Sequence, residues 1–88
     1  MYSPSFAFFI GNRQVTQNEF EEVEYRKRNA IAMIHSATQA QALYPESPLH
    51  LELYWDKDRF SYRESSNMEI VNDYLAKAFR DEIVRSLY

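Results

Sequence analysis

The pattern of apolar and polar positions divides the chain into a hairpin, a helix, a second hairpin and a second helix. Ser5–Ile10 is apolar and rich in aromatic residues, which is typical of a strand. Gly11-Asn12 follows, a dipeptide suited to the positive φ angles of a tight hairpin turn. Arg13–Val15 then supplies a short return strand. These residues predict a first β-hairpin.

The start of the first helix is the clearest local signal in the sequence. Thr16 and Glu19 have the spacing of a capping box, in which the side chain of each residue accepts a hydrogen bond from the backbone N–H of the other. Val15 before the cap and Phe20 after Glu19 occupy the two positions of a hydrophobic staple. The four residues predict a helix that begins at Thr16 or Gln17.

This first helix is predicted to run without interruption to about Leu43, where Tyr44-Pro45 stops it. It would contain about 27 residues and measure roughly 40 Å. Its first half is highly charged, and its second half is rich in alanine, which permits close approach of another element. The side chains expected to face the core are those of Phe20, Val23, Ala30, Ile31, Ile34, Ala37 and Leu43.

The second hairpin is marked by strict alternation of apolar and polar residues. Leu49–Tyr54 places its leucines on one face and Tyr54 on the other. Asp56–Asp58 supplies a turn, and Arg59–Arg63 alternates again, with its two aromatic residues sharing a face. The leucine face is expected to join the core.

A second helix is predicted from a capping box formed by Ser66 and Glu69, and it extends almost to Tyr88. The expected fold is α+β, a single domain spanning residues 1–88 in the order ββαββα. Its small antiparallel sheet, made of two hairpins, would be covered on one face by the helices. The apolar face of the second helix is expected to contain Val71, Tyr74, Leu75, Ala78, Phe79, Ile83 and Leu87.

Aromatic residues make up 16% of the chain, beside a single glycine and no cysteine. A small core cannot comfortably hide so many aromatic rings, so some are expected at the surface, where Tyr and Trp commonly anchor protein interfaces. Without cysteine there is no disulfide, thiol nucleophile or thiolate metal site, which fits a cytoplasmic protein. The apolar run at the start is too short for a signal peptide or a membrane span.

The net charge is −3, and the excess of acidic residues lies in the second half. Non-specific nucleic-acid binding needs clustered lysine and arginine, so a modestly acidic chain is poorly suited to it. The chain is also far less acidic than a protein that imitates DNA would be. Net charge therefore favours a protein partner weakly over a nucleic acid.

The sequence contains no recognisable catalytic, metal-binding or cofactor-binding motif. His35 and His50 have no second ligand at metal-binding spacing on their own elements. Ser65 and Ser66 are better explained by helix capping than by nucleophilic catalysis. The single glycine, Gly11, excludes a glycine-rich phosphate loop. No catalytic residue, metal or cofactor is therefore assigned, although small nucleases need no strong motif.

The second hairpin carries the richest set of candidate contact residues. Tyr54 points away from the leucine face, and the turn brings Arg59 and Arg63 within reach on the neighbouring strand. Aromatic residues beside arginines form protein hot spots, and they also stack on nucleic-acid bases. An ordinary solvated strand face is the plain alternative. The predicted partner-binding residues of this hairpin are Tyr54, Arg59, Tyr62 and Arg63.

The charged first half of the first helix is the second candidate surface. It contributes Tyr25 and Arg28 as predicted partner-binding residues, and Arg26–Arg28 is a small basic cluster. On a helix these three basic residues spread over most of one turn instead of forming one face. A solvated helix end is the plain interpretation of the cluster, and a small patch for nucleic acid or an acidic partner is the alternative.

The leading hypothesis is a small, soluble, non-enzymatic protein that binds a larger protein or complex as an adaptor or inhibitor. Its size, its initiating Met1 and the lack of catalytic residues suggest an intact small gene product, with a phage or mobile element as one origin. A homodimer is also expected, and binding to a membrane is not. An RNA- or DNA-binding module that uses the second hairpin and Arg26–Arg28 is the first alternative, and a minimal hydrolase or nuclease is the second.

Overall fold

The fold is α+β, and the predicted order of two hairpins and intervening helices is confirmed. The computed structural model describes residues 3–46, 48–65 and 69–85. Ser66, Leu87 and Tyr88, on which parts of the second-helix prediction depend, lie outside these ranges. The elements are β1 (Ser5–Ile10), β2 (Arg13–Val15), α1 (Gln17–Phe20), α2 (Glu24–Leu43), β3 (His50–Asp56), β4 (Arg59–Glu64) and α3 (Glu69–Arg85).

The four described strands form one mixed sheet in the order β2-β1-β3-β4. Each hairpin is antiparallel, as predicted, but β1 and β3 pair in parallel at the centre. The expectation of a purely antiparallel sheet is therefore wrong. Parallel neighbours require a long crossover connection, and the segment that contains α1 and α2 supplies it.

The three helices lie on one face of the sheet, and the core fills the space between. Phe20 of α1 packs on Phe8, with ring centroids 5.3 Å apart, and Phe79 of α3 packs on Phe60 at 5.4 Å. Helix α2 turns small residues and Met33 toward the sheet. The buried core cluster contains Phe8, Phe20, Ala30, Met33, Ala37, Ala40, Leu49, Leu51, Leu53, Val71 and Leu75.

The long first helix is broken, so the prediction of one continuous helix is wrong. Helix α1 ends at Phe20, and Val23 has an extended backbone before α2 begins. The guanidinium of Arg26 donates to the carbonyl oxygens of Phe20, at 2.7 Å, and of Glu19, at 3.1 Å. These contacts satisfy carbonyls that a continuous helix would pair within itself.

The residues of this segment that face the core differ in part from those expected. Val23, Ile31 and Leu43 were expected to be buried, but they are 43%, 52% and 59% exposed. The side chains that face the sheet follow the helical spacing of three and four residues. They are Ala30, Met33, Ala37 and Ala40, and the sequence predicts neither Met33 nor Ala40 among them.

The two hairpin turns have different backbone geometries. Gly11 has φ 62°, and of its turn only this residue has a positive φ, which suits a type II′ turn with glycine in the first central position. Lys57 and Asp58 have φ 50° and 69°, so both central residues of the second turn lie in the left-handed region, as in a type I′ turn. Residues other than glycine, asparagine and aspartate occupy that region at a cost.

A buried glutamine connects the end of α2 to the start of β3. Gln41 is 2% exposed, and its side-chain oxygen accepts from the backbone N–H of Leu49 at 2.8 Å. Its side-chain nitrogen donates to the carbonyl of Tyr44 at 3.1 Å. One side chain thus holds the end of the helix to the start of the strand that pairs with β1.

The helix cap at Thr16 generates the first prediction. The Thr16 hydroxyl accepts from the backbone N–H of Glu19 at 3.1 Å, as the sequence predicts, while the Glu19 carboxylate pairs with Arg13 at 2.7 Å. Thr16→Ala should lower the free energy of unfolding by about 1 kcal/mol, measured by denaturant titration. Thr16→Ser, which keeps the hydroxyl, is the control, and equal losses in both variants would contradict the capping role.

The turns generate the second prediction, which is that substitutions at two left-handed positions change the free energy of unfolding in opposite directions. Lys57→Gly should raise the free energy of unfolding by roughly 0.5–1 kcal/mol, because glycine relieves the left-handed strain of Lys57, although glycine loses more chain entropy on folding. Gly11→Ala should lower it by about 1 kcal/mol, and through the backbone alone, because a methyl group there meets no atom within 4 Å. Denaturation midpoints that move in the same direction would refute this account.

Candidate functional site

The face of the sheet opposite the helices is left uncovered in the described part of the chain. Side chains of successive strand residues alternate between the two faces, so this surface is built from the residues between the core positions. We call it the open face. It consists of Ser5, Ala7 and Phe9 of β1, Gln14 of β2, His50, Glu52, Tyr54 and Asp56 of β3, and Arg59, Ser61 and Arg63 of β4.

The centre of the open face is an aromatic pair. Phe9 and Tyr54 are direct neighbours across the parallel β1–β3 ladder. Their rings stack with centroids 4.9 Å apart and planes inclined by 16°. Both side chains are partly exposed, and no element of the described chain covers them. The pair therefore presents a flat aromatic surface to the outside.

The charges on the open face are balanced across the β3–β4 ladder. Arg63 lies directly opposite Glu52, and Arg59 lies directly opposite Asp56. Side chains at such positions are close enough for opposite charges to attract. Tyr54 lies between these two charged pairs, opposite Ser61. The aromatic centre is thus flanked on both sides by an arginine and a carboxylate.

Tyr54 is held in place by its hydroxyl. The hydroxyl donates to a carboxylate oxygen of Glu52 at 2.5 Å. This hydrogen bond is the main reason why the pKa of Tyr54 is raised above its ordinary value of 10.0, with burial and the charge of Glu52 adding to it and Arg63 opposing it. The phenol therefore remains a neutral hydrogen-bond donor, and its ring is fixed over Phe9.

The structure brings together three of the residues predicted at the second hairpin and separates the fourth. Tyr54, Arg59 and Arg63 lie on the open face, and both arginines are exposed. Tyr62 lies on the helix-covered face, where its ring contacts Phe79 with centroids 5.7 Å apart. Burial on that face raises the pKa of Tyr62. The four residues therefore do not lie on one face of the sheet.

The second predicted surface, at the start of α2, lies on the helical side of the molecule. Tyr25 is 67% exposed there, and Arg28 lines a shallow depression beside Ile31. Arg26 uses its guanidinium to hold the end of α1. The basic cluster and the second hairpin therefore do not form one continuous face.

Phe9 is the member of the site that sequence reasoning missed. The sequence predicts the strand that contains it, but Ser5–Ile10 is apolar at nearly every position and does not show which face each residue occupies. The pairing of β1 with β3, which places Phe9 beside Tyr54, has no local signal either. The alternation in β3, by contrast, was sufficient to place Tyr54 on the outward face.

The two histidines lie on opposite sides of the molecule. His50 is on the open face, with its Nδ1 2.8 Å from the Ser5 hydroxyl, whereas the Nδ1 of His35 in α2 is 2.9 Å from a Glu82 carboxylate oxygen in α3. Within residues 3–46, 48–65 and 69–85, no group of three His, Cys, Asp or Glu residues is placed to hold a metal ion. None of the described helices has the length and apolar character needed to cross a membrane.

Comparison with protein families, with curated proteins and with solved structures yields no match for this chain. The assignment of function consequently depends on the geometry of the open face.

The contact between Tyr54 and Glu52 generates a third prediction. Glu52→Gln should lower the pKa of Tyr54 toward its ordinary value, because the amide keeps an acceptor but loses the negative charge. Since folding raises this pKa, the contact stabilises the fold fully below the pKa of the unfolded chain. That stability is lost as the pH rises through the higher pKa of the folded state. The pKa of Tyr54 is measured from its ring NMR shifts as the pH is raised, and Tyr54→Phe assigns the signal. An unchanged pKa in Glu52→Gln would contradict the account.

Proposed function

We propose that this chain is a small, non-enzymatic, cytoplasmic protein that binds a larger protein through its open face, as an adaptor or an inhibitor. The observation that carries the proposal is the stacked pair of Phe9 and Tyr54 at the centre of a sheet face that no described helix covers. Rigid aromatic side chains flanked by arginines are typical anchors of protein interfaces.

The balance of charge supports a protein partner over a nucleic acid. Arg59 and Arg63 each face a carboxylate, so the open face offers no surplus of positive charge to a phosphate backbone. A protein surface can match such alternating charges with its own. An inhibitor encoded by a phage or mobile element fits the small size of the chain.

Binding of single-stranded RNA or DNA is the second candidate function, and one observation favours it. Aromatic rings exposed on the open face of a four-stranded sheet can stack on unpaired bases. Phe9 and Tyr54 offer such a platform. A strong dependence of binding on salt concentration would identify this case, because phosphate contacts release counterions.

The test, our fourth prediction, compares two double variants of the same residue types. Tyr54→Ala with Arg63→Ala removes the open-face anchors, and Tyr25→Ala with Arg28→Ala is the matched control on the helical side. We expect the first pair to weaken binding of a partner captured from the native cell by at least about 30-fold, the equivalent of about 2 kcal/mol. The control should bind as the parent does. Circular dichroism verifies that both variants are folded.

Three outcomes would overturn the proposal. Equal binding by the open-face variant and the parent would show that the partner contacts another surface, and a loss confined to Tyr25 and Arg28 would place it at the start of α2. If the captured partner is a nucleic acid, the second candidate function replaces the first.

Sedimentation of the purified protein tests for a homodimer, in which the second copy would cover the open face.

A further inference from the structure

Strand β4 is an edge of the sheet, and its register shows which backbone groups face outward. The N–H of Ser65 donates to the carbonyl of His50 at 3.0 Å, so this position pairs directly with β3. In an antiparallel ladder every second residue pairs in this way. Arg59, Ser61 and Arg63 therefore point their backbone groups toward β3. The N–H and C=O groups of the residues between them, Phe60 and Tyr62, point away from the sheet.

This edge has the properties of a template for another strand. β4 spans six residues and contains no proline, and its ladder to β3 is continuous. No backbone group in the described part of the chain bonds to the outer side of Phe60 or Tyr62. An edge that is neither shortened nor interrupted can accept a strand from another chain. The opposite edge, β2, has only three residues.

The side chains along this edge leave apolar surface incompletely covered. Phe60 and Tyr62 lie on the helical side and contact Phe79 of α3, with ring centroids 5.4 Å and 5.7 Å apart. All three rings are only half-buried, because the sheet ends beside them. A strand added next to β4 would place alternate apolar side chains against these rings and complete their burial.

The charges of β4 specify the other side chains of such a strand. Arg59 and Arg63 are both exposed on the open side of the edge. A neighbouring strand places side chains directly opposite them, where opposite charge is favourable and like charge is not. The complementary segment therefore has acidic residues on one face, spaced to meet the two arginines, and apolar residues on the other.

The same charges disfavour a second copy of this chain as the added strand. Antiparallel pairing of β4 with itself about Ser61 sets the arginines of one copy against those of the other, which is destabilising. Pairing about Tyr62 instead sets the carboxylate of Glu64 against the ring of Phe60. A partner strand with alternating acidic and apolar residues avoids both conflicts.

We propose that β4 extends its sheet by binding an extended segment of the partner protein, with alternating acidic and apolar side chains. Backbone hydrogen bonds to Phe60 and Tyr62 would supply affinity, and the two arginines would supply specificity, as in other cases of strand addition. The inference rests on the proposed function, since the segment belongs to the protein that covers the open face. It identifies the conformation and the chemistry of that partner.

The test, our fifth prediction, uses a capped synthetic peptide, Ser-Glu-Val-Thr-Val-Glu-Ser, titrated to millimolar concentration into the isotope-labelled protein. Its core reads the same in both directions, so it suits either strand orientation. We expect amide shifts and slowed hydrogen exchange at Phe60 and Tyr62. A peptide with lysine in place of both glutamates should bind about tenfold more weakly. Arg59→Glu with Arg63→Glu should reverse this preference.

A chemically synthesised protein with N-methyl-Tyr62 isolates the backbone contribution, because it removes one outward N–H and keeps the ring. It should lose the peptide shifts, whereas Tyr54→Ala should retain them, which separates this inference from the proposed function. Absence of shifts at β4, equal binding of the lysine peptide or unchanged binding to the N-methylated protein would overturn strand addition. Shifts confined to Phe9 and Tyr54 would also overturn it, while they would support the open face as a contact surface.

Discussion

The parallel pairing of β1 with β3 is the contact on which the rest of the structure depends. It joins two local hairpins into one sheet, and backbone bonds from Ser5 to Leu49 and from Gly11 to Trp55 extend it at both ends. Because a parallel pair needs a crossover, the segment with α1 and α2 must cross one face of the sheet. The same register sets Phe9 beside Tyr54, so the core and the candidate surface have a common origin.

The two faces of the sheet are stabilised in different ways. On the helical side, three alanines of α2 and the two leucines of β3 are fully buried, and apolar burial is the dominant favourable contribution to folding. On the open side, residues are joined by stacking, by the Tyr54 hydroxyl and by charges that face one another across β3 and β4. The ring stacking and the hydroxyl contact lie within the chain, so the aromatic centre of the open face is positioned before any partner binds. A preorganised surface loses less entropy on binding.

Local signals in the sequence were sufficient for the hairpins, the cap at Thr16 and the outward position of Tyr54, since turn residues, capping spacing and alternation each act within a few residues. The break after Phe20 could not be predicted, because the hydrogen bonds from Arg26 to the carbonyls of Phe20 and Glu19 leave no signal in the sequence. The sheet face that Phe9 occupies could not be predicted either, because a uniformly apolar segment does not show which distant strand it pairs with.

The central claim is that the open face is accessible in the free protein and covered in its complex. The chain contains no cysteine, so a single thiol introduced by Ser61→Cys reports on this face alone, and Asn72→Cys on the exposed side of α3 is the matched control. The account predicts that both thiols react at the rate of an exposed thiol in the free protein and that the partner protects only Ser61→Cys. Protection of Asn72→Cys, with the reactivity of Ser61→Cys unchanged by the partner, would contradict it.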